Sequence, residues 1–250
     1  DSMKMGAVRK NWDSLPIKSL DEYVGHDSLV YPDLMGNHQY LGTNLNLGFE
    51  LDLMTDDIET NDGFLFNLDI DWAPLALNSA LDGEADFYSI VFNAVGAKTL
   101  YQYETNGKHW FSISLVDRFN VNWTSGDKVP VYAQKQGSLG RKVRGYASYS
   151  YNSELTIVNN LDLRFTSPAL GVDGLYIRLN LFFDMGYGAG HFYNSEFRQN
   201  KFIASTGAQI SFTIFDFIDL GYQVAYLING ENYAKGPSPF TSSFLFFLDF

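Results

Sequence analysis

An arginine in a loop and an aspartate on a later strand are the residues of this chain best suited to specific chemistry. The loop motif is four residues long: Val143, Arg144, Gly145, Tyr146. Arginine stays charged, so a fold that draws it away from bulk water must supply a fixed carboxylate for paired, charge-assisted hydrogen bonds. Asp184 is the candidate partner. On these fragments alone a solvated arginine and a turn aspartate are the simpler interpretation, so the choice depends on the strands around them.

Other residue patterns give little support for an enzyme. The four histidines show no metal-ligand spacing, and the serines lack a nucleophile-elbow pattern. Asp69 and Asp71 share one strand face and could form a cation site. Acids on a hydrated face are also expected without any catalytic or cation-binding role. Cysteine is absent, which excludes disulfides, thiolate zinc sites and thiol nucleophiles and suits an oxidising compartment. The sequence therefore predicts a protein that is not an enzyme and that holds no metal or cofactor.

Composition excludes several classes of protein. The 250 residues are 46% hydrophobic and 16% aromatic, which is ample for one large domain and too apolar for disorder. No apolar run approaches the roughly eighteen residues of a membrane helix, so a helical membrane protein is excluded. The net charge of −12 argues against a nucleic-acid partner, because phosphate binding depends on lysine and arginine. The N-terminus shows no signal peptide, so we expect that any export signal was removed or precedes this chain.

Period-two alternation begins after an irregular N-terminal segment. Residues 1–39 are broken by prolines, glycines and acids, which predicts a loop or plug with room for one strand around Asp27 to Tyr31. Residues 40–250 hold nine clear segments in which apolar and polar residues alternate, as in strands with one apolar and one polar face. A long connection, residues 124–153, interrupts them and carries the arginine loop. A connection of this length is usually functional or disordered.

The length of the alternating segments decides between two all-β architectures. A soluble sandwich also alternates, but its strands are typically about five or six residues long. The segments from Phe64 to Trp72 and from Leu175 to Asp184 are longer. This suits strands that cross a hydrocarbon layer at a tilt of about 45°, with the apolar face toward lipid and the polar face toward a wet interior. The sequence therefore predicts an antiparallel transmembrane β-barrel of the outer-membrane type.

Several motifs between residues 129 and 250 occur in an order that is typical of one family. The run Val129 to Tyr132, the pair Leu139-Gly140 and the arginine loop resemble a strand end and the inward-folded loop of the Omp85 superfamily. That group includes outer-membrane protein assembly factors and two-partner secretion transporters. Residues 160–165 and 182–186 are similar to the family's next two strands, the second as F-x-D-x-G. A terminal period-two series resembles the outer-membrane targeting signal: Phe244, Phe246, Leu248, Phe250.

The resemblance implies a role for the loop. In the family the loop folds into the barrel lumen and its arginine pairs with the strand aspartate, with a second acid available nearby. The alternation agrees, because Asp162 and Asp184 both fall on the polar side of their strands. Gly145 would let the backbone turn sharply beside the wall, and Tyr146 would pack there. The resemblance thus implies an internal latch that steadies the C-terminal strands, with these acceptors: Asp162, Phe182, Asp184, Gly186.

The function implied by the resemblance is insertion, assembly or translocation of proteins at the bacterial outer membrane. Its partners would be the lipid bilayer, client outer-membrane or secreted proteins and accessory assembly subunits, with no nucleic acid. A passive outer-membrane diffusion pore for small solutes is the alternative. Such a pore shares the barrel and the polar interior, but it does not explain the latch motif.

The chain also departs from the family pattern. Assembly factors carry periplasmic POTRA domains before the barrel, and residues 1–39 cannot contain one. Family barrels have about sixteen strands, and closed single-chain bacterial barrels are even-numbered, whereas nine segments are clear here. Two open edges would leave backbone groups unpaired in a bilayer. The missing part could be a strand within residues 1–39, one within the less regular third segment from Asp86 to about Tyr103, or strands from a partner. We expect instead a further part of the barrel upstream of this chain.

Overall fold

The computed structural model describes eleven stretches of the chain and forms one antiparallel sheet from them. The described residues are 43–55, 62–80, 85–106, 108–130, 133, 138–146, 153–168, 174–190, 201–214, 218–229 and 238–248. The predicted N-terminal loop or plug, residues 1–39, lies outside them, as does Phe250 of the predicted targeting signal.

Nine strands follow one another as neighbours in the sheet, each antiparallel to the next. They are β1 (Leu45–Asp52), β2 (Gly63–Ala73), β3 (Asp86–Thr105), β4 (Lys108–Lys128), β5 (Leu155–Pro168), β6 (Leu175–Ala189), β7 (Lys201–Ile214), β8 (Ile218–Leu227) and β9 (Phe240–Leu248). Two short helices lie in connections, α1 (Leu75–Ser79) and α2 (Leu139–Lys142). The prediction of an all-β antiparallel fold is confirmed. In the described part of the chain, neither helix is long and apolar enough to cross a membrane.

The hairpin between β3 and β4 shows how local sequence sets the chain direction. Asn106 takes a φ of 55° at the turn, a left-handed conformation that asparagine tolerates better than most residues. β4 then continues to Lys128, past the predicted start of the long connection at residue 124. Thr124 and Ser125 still pair with β3, and the Thr124 hydroxyl lies 2.8 Å from the Ser89 hydroxyl. The connection to β5 therefore occupies residues 129–154.

The two faces of the sheet have opposite character, as alternation requires. On β6, Leu179, Leu181 and Phe183 are 39%, 45% and 38% exposed. Between them, Asn180 and Asp184 are 6% and 0% exposed. We call the exposed apolar side the outer face and the covered polar side the interior face. A sandwich requires apolar faces that pack against each other, and the described strands instead leave the apolar face uncovered.

The sheet is open among the described residues, where β1 and β9 each pair on one side only. Connections after odd-numbered strands occupy residues 53–62, 106–107, 169–174 and 215–217. Connections after even-numbered strands are long and occupy residues 74–85, 129–154, 190–200 and 228–239. Apart from the β1–β2 connection, one end of the sheet thus has short connections and the other has long ones.

Gly207 is a point where the interior face is packed too tightly for a side chain. A Cβ on Gly207 would lie 2.1 Å from the backbone oxygen of Val224 and 2.6 Å from Phe182 Cζ. We expect Gly207→Ala to lower the free energy of unfolding by about 1–3 kcal/mol through overpacking. Urea unfolding of the refolded protein measures this.

Gly96 is the matched control, because a Cβ there would meet nothing within 4 Å. Gly96→Ala should change stability by less than about 1 kcal/mol. Equal losses in the two variants would contradict the packing described for Gly207.

Candidate functional site

Residues 138–146, within the connection after β4, lie on the interior face of the sheet. α2 and the motif that follows it lie against β5 to β8, where Leu139 and Val143 are 0% and 1% exposed. They pack in one apolar cluster with Tyr146 and these strand residues: Val158, Ile203, Leu227. Burial of apolar side chains thus holds the segment on the interior face, at the end of the sheet with the long connections.

Arg144 donates three hydrogen bonds to Asp184. Its backbone N–H and its Nε donate to Asp184 Oδ2 at 2.9 and 2.8 Å, and Nη2 donates to Oδ1 at 2.6 Å. The Asp184 side chain is 0% exposed and the Arg144 side chain 20%. This is the bidentate geometry in which arginine binds carboxylate most strongly. The structure therefore brings together the loop arginine and the strand aspartate that the sequence singled out.

Asp162 is shared by several guanidinium groups. Arg144 Nη2 donates to its Oδ1 at 2.6 Å, and Arg118 Nη1 donates to its Oδ2 at 2.5 Å. Arg164 Nη2 lies 3.7 Å from the same Oδ2. Asp162 is 1% exposed. Two buried acids from neighbouring strands thus meet one loop arginine, and two strand arginines complete the group.

The electrostatic environment keeps Arg144 charged. Burial by itself would lower the pKa of Arg144, but hydrogen bonding and the charge of Asp184, followed by the charge of Asp162, raise it above its usual value. The Phe182 ring lies beneath the guanidinium, with Cζ 4.0 Å from the ring centroid, and adds a cation–π contact. Removing one partner from such a site leaves an uncompensated buried charge.

The F-x-D-x-G segment of β6 receives the loop with three alternate residues. Phe182 lies under the guanidinium and Asp184 binds it, as described above. Gly186 makes room, because a Cβ there would lie 2.9 Å from Val143 Cγ2 and 3.0 Å from Leu139 Cδ2. All three positions face the interior because a strand alternates its faces. The motif is thus one continuous docking surface for the loop.

Gly145 brings the loop against the last two strands. It has a φ of +93°, in the region that favours glycine. A Cβ there would lie 2.7 Å from Ala225 Cβ on β8 and 2.9 Å from Thr241 Oγ1 on β9. Conformation and space therefore both require glycine at this position.

Tyr146 fixes the end of the motif. Its hydroxyl lies 3.0 Å from the carbonyl oxygen of Ala204 on β7 and also contacts the carbonyl of Asn229 just after β8. One hydroxyl proton serves one acceptor at a time. Together with the contacts of Arg144 and Gly145, this single motif touches every strand from β5 to β9.

The described members of the C-terminal series lie on β9. Phe244 and Phe246 are 70% and 55% exposed on the outer face. Leu248 is the last residue of the strand. They are separate from the latch, and their role as a targeting signal stays a prediction.

Sequence reasoning missed Arg118 and Arg164 as neighbours of Asp162. Alternation already placed both arginines on the polar side of their strands, which is the signal that could have found them. The missing information was the register: Val116 pairs with Asp162, so Arg118 occupies the next interior position along β4. In addition, Lys142 of the connection donates from its Nζ to Asn120 Oδ1 on β4.

Comparisons with protein families, curated proteins and solved structures give no match to this chain. Within the described residues, no three His, Asp or Glu side chains are grouped so that they could hold a metal ion. What the arrangement can do is hold a loop by charge, packing and shape.

Arg144→Gln tests the latch in the folded protein. The variant leaves the Asp184 carboxylate buried without its cation, so we expect the free energy of unfolding to fall by about 3–5 kcal/mol. Urea unfolding in detergent measures this, and limited proteolysis should show faster cleavage within residues 129–154.

Lys142→Gln is the matched control, because it removes a neighbouring cation that contacts an amide oxygen. It should cost only about 0.5–1.5 kcal/mol. An Arg144→Gln effect no larger than the control would rule out a stabilising latch.

Proposed function

We propose that this chain is part of an outer-membrane β-barrel of the Omp85 type that acts in insertion, assembly or translocation of proteins. The observation that carries the proposal is the buried Arg144, held by Asp184 and Asp162 on the interior face. A loop that returns over the polar face and is fixed there by a desolvated ion pair is what the resemblance implies for this family. Its partners are the lipid bilayer, client outer-membrane or secreted proteins and accessory assembly subunits.

The outer face supports a membrane location. Its large apolar side chains are exposed on successive strands, for example Leu47 at 69%, Leu181 at 45% and Phe244 at 70%. An apolar face of this extent on a water-soluble protein favours association, whereas lipid satisfies it. Short turns on one side and long loops on the other are typical of bacterial outer-membrane barrels, in which the turns face the periplasm. The latch loop then enters the lumen from the cell surface.

The proposed barrel includes more strands than these nine. β1 and β9 run in the same direction, because neighbours in the sheet alternate. Closure through antiparallel pairs alone therefore requires an odd number of additional strands. Closure is needed because unpaired edges are not tolerated in hydrocarbon.

In this proposal the latch keeps the C-terminal strands in a fixed curvature while clients engage the barrel. Arg144 is anchored on β5 and β6, and Gly145 and Tyr146 contact strands β7 to β9. The loop thus couples five strands through one short segment. Loss of its anchor should let those strands move relative to one another.

A passive diffusion pore is the second candidate, and the polar interior face favours it. Asn67, Asn93 and Asn120 form a row of amides across three strands of that face. Such a polar face suits the passage of hydrated solutes. The pore does not account for the buried loop anchor.

Client insertion into vesicles distinguishes the two candidates. The full chain is reconstituted in phospholipid vesicles, and folding of a small unfolded outer-membrane barrel is timed by its change in gel mobility. We expect faster client folding than in empty vesicles, and a loss of that acceleration with Arg144→Gln at equal folded fraction. Lys142→Gln should retain it. A large steady conductance with no acceleration of client folding would support the pore instead.

The membrane location has its own test in Leu181→Arg. An arginine on the lipid-facing side costs about 2–4 kcal/mol near the bilayer midplane. The fraction of the protein that folds into vesicles should therefore fall sharply. Heat-dependent gel mobility measures the folded fraction.

Asn67→Arg places the same charge on the polar interior face and should be tolerated better. If the two variants fold into vesicles equally well, the outer face does not meet lipid.

A further inference from the structure

Three arginines are neighbours on the interior face beside the latch. Arg118 is on β4, Arg164 on β5 and Arg178 on β6. We call them the arginine cluster. Arg164 is directly opposite Asn180, which is the next interior position after Arg178 on β6. Residues in such diagonal positions on adjacent strands are within reach of each other when their side chains are long.

Among the described residues, positive charge exceeds negative charge around the cluster. Asp162 contacts Arg118 at 2.5 Å and Arg164 at 3.7 Å, but its other oxygen is bound to Arg144 at 2.6 Å. One carboxylate therefore faces three guanidinium groups. Asp184 is already engaged by the three donors of Arg144. Like charges held together away from water repel each other unless a counter-charge is present.

Arg178 has a weaker counter-charge than its neighbours. Asp219 on β8 acts on it through its charge, but no ion pair within 4.0 Å joins Arg178 to an acid among the described residues. The Asp219 carboxylate instead accepts a hydrogen bond from the Thr213 hydroxyl. Arg178 thus keeps donor capacity on the interior face.

Arg178 Nε and Asn180 Oδ1 are buried here without a hydrogen-bond partner within the described part of the chain. Unsatisfied buried atoms are rare in folded proteins and commonly mark a bound water, ion or ligand. Buried hydroxyls face Arg178 from both neighbouring strands, Thr166 on β5 and Ser211 on β7. The surroundings therefore supply several donors and an excess of positive charge.

We propose that the arginine cluster binds an oxyanion, the phosphate or carboxylate group of a solute or lipid headgroup. Guanidinium groups bind such anions through paired N–H donors, and nearby hydroxyls add further donors. A protonated phosphate oxygen also supplies the donor that Asn180 Oδ1 lacks. The anion adds to the counter-charge that Asp162 and Asp219 supply to these guanidinium groups. This site lies beside the latch because Asp162 belongs to both.

Isothermal titration of the full chain in detergent micelles with inorganic phosphate tests the proposal. The titrations are run against a chloride buffer of equal ionic strength, and acetate is titrated in parallel. We expect saturable phosphate binding, weakened at least about tenfold by Arg178→Gln, because a charged hydrogen bond is lost. Arg178→Lys should recover part of the affinity. Acetate binding of equal strength would assign a general oxyanion site, and binding of phosphate alone a phosphate site.

Lys98→Gln is the matched control for net charge. Lys98 is 74% exposed and pairs with Asp62 outside the cluster. Its replacement should leave phosphate affinity within about twofold of the unmodified chain, because exposed pairs are screened. An equal loss with Lys98→Gln would show that only net charge matters and would overturn the site.

Asn180→Asp provides a second test that does not depend on whether the Arg178→Gln variant folds. The substitution is nearly isosteric and places a carboxylate between Arg164 and Arg178. It should raise stability in urea and abolish phosphate binding, because the protein then carries its own counter-charge. No saturable heat with either phosphate or acetate would overturn the proposal. These titrations do not depend on client insertion. A failure of the oxyanion-site proposal can therefore be told apart from a failure of the proposed barrel function.

Discussion

The burial of one guanidinium against two carboxylates is the constraint on which the rest of the structure depends. Desolvating a charge is costly, and it is compensated only where geometry and partners are fixed. Asp162 and Asp184 come from adjacent strands, so their positions require the β5–β6 register. Arg144 comes from a loop that must return over the interior face. A change in register or in the path of the loop would leave a buried charge without its partner.

This constraint explains why small and aromatic residues surround the site. Phe182 lies under the guanidinium, Gly186 leaves room for Val143, and Gly145 fits against β8 and β9. Each is a shape requirement created by drawing the loop against the strands. The same packing links the latch to Tyr146 and the carbonyl of Ala204 on β7. One electrostatic anchor and several steric contacts thus act together along a single segment.

Much of this arrangement follows from alternation, because side chains on a strand change face at every residue. Alternation placed Asp162 and Asp184 on one face and predicted an antiparallel all-β fold, which is confirmed. It could not give the register, so Arg118 and Arg164 were missed. It also ended β4 too early, because the polar residues Thr124 and Ser125 resemble a loop and their pairing with β3 depends on the partner strand.

The third segment was the least regular in sequence for a related reason. β3 carries register shifts between Asp86 and Tyr88, between Thr99 and Tyr101 and between Tyr103 and Glu104. The shift between Thr99 and Tyr101 has its extra residue, Leu100, on β3 and moves the residues after it to the other face. The other two shifts have their extra residues on β4, so a single period cannot describe this pair of strands. The arginine cluster was likewise beyond sequence reasoning, because its members are far apart in the chain and meet only through pairing of β4, β5 and β6.

A double-mutant cycle on Arg144 and Asp184 tests the central claim most directly. Unfolding free energies are measured in one detergent for the unmodified chain, Arg144→Gln, Asp184→Asn and the double variant. The account predicts a coupling free energy of about 2–3 kcal/mol, because either single change already removes the pair. Additive losses, with coupling below about 0.5 kcal/mol, would show that the loop is held in place by something other than this ion pair.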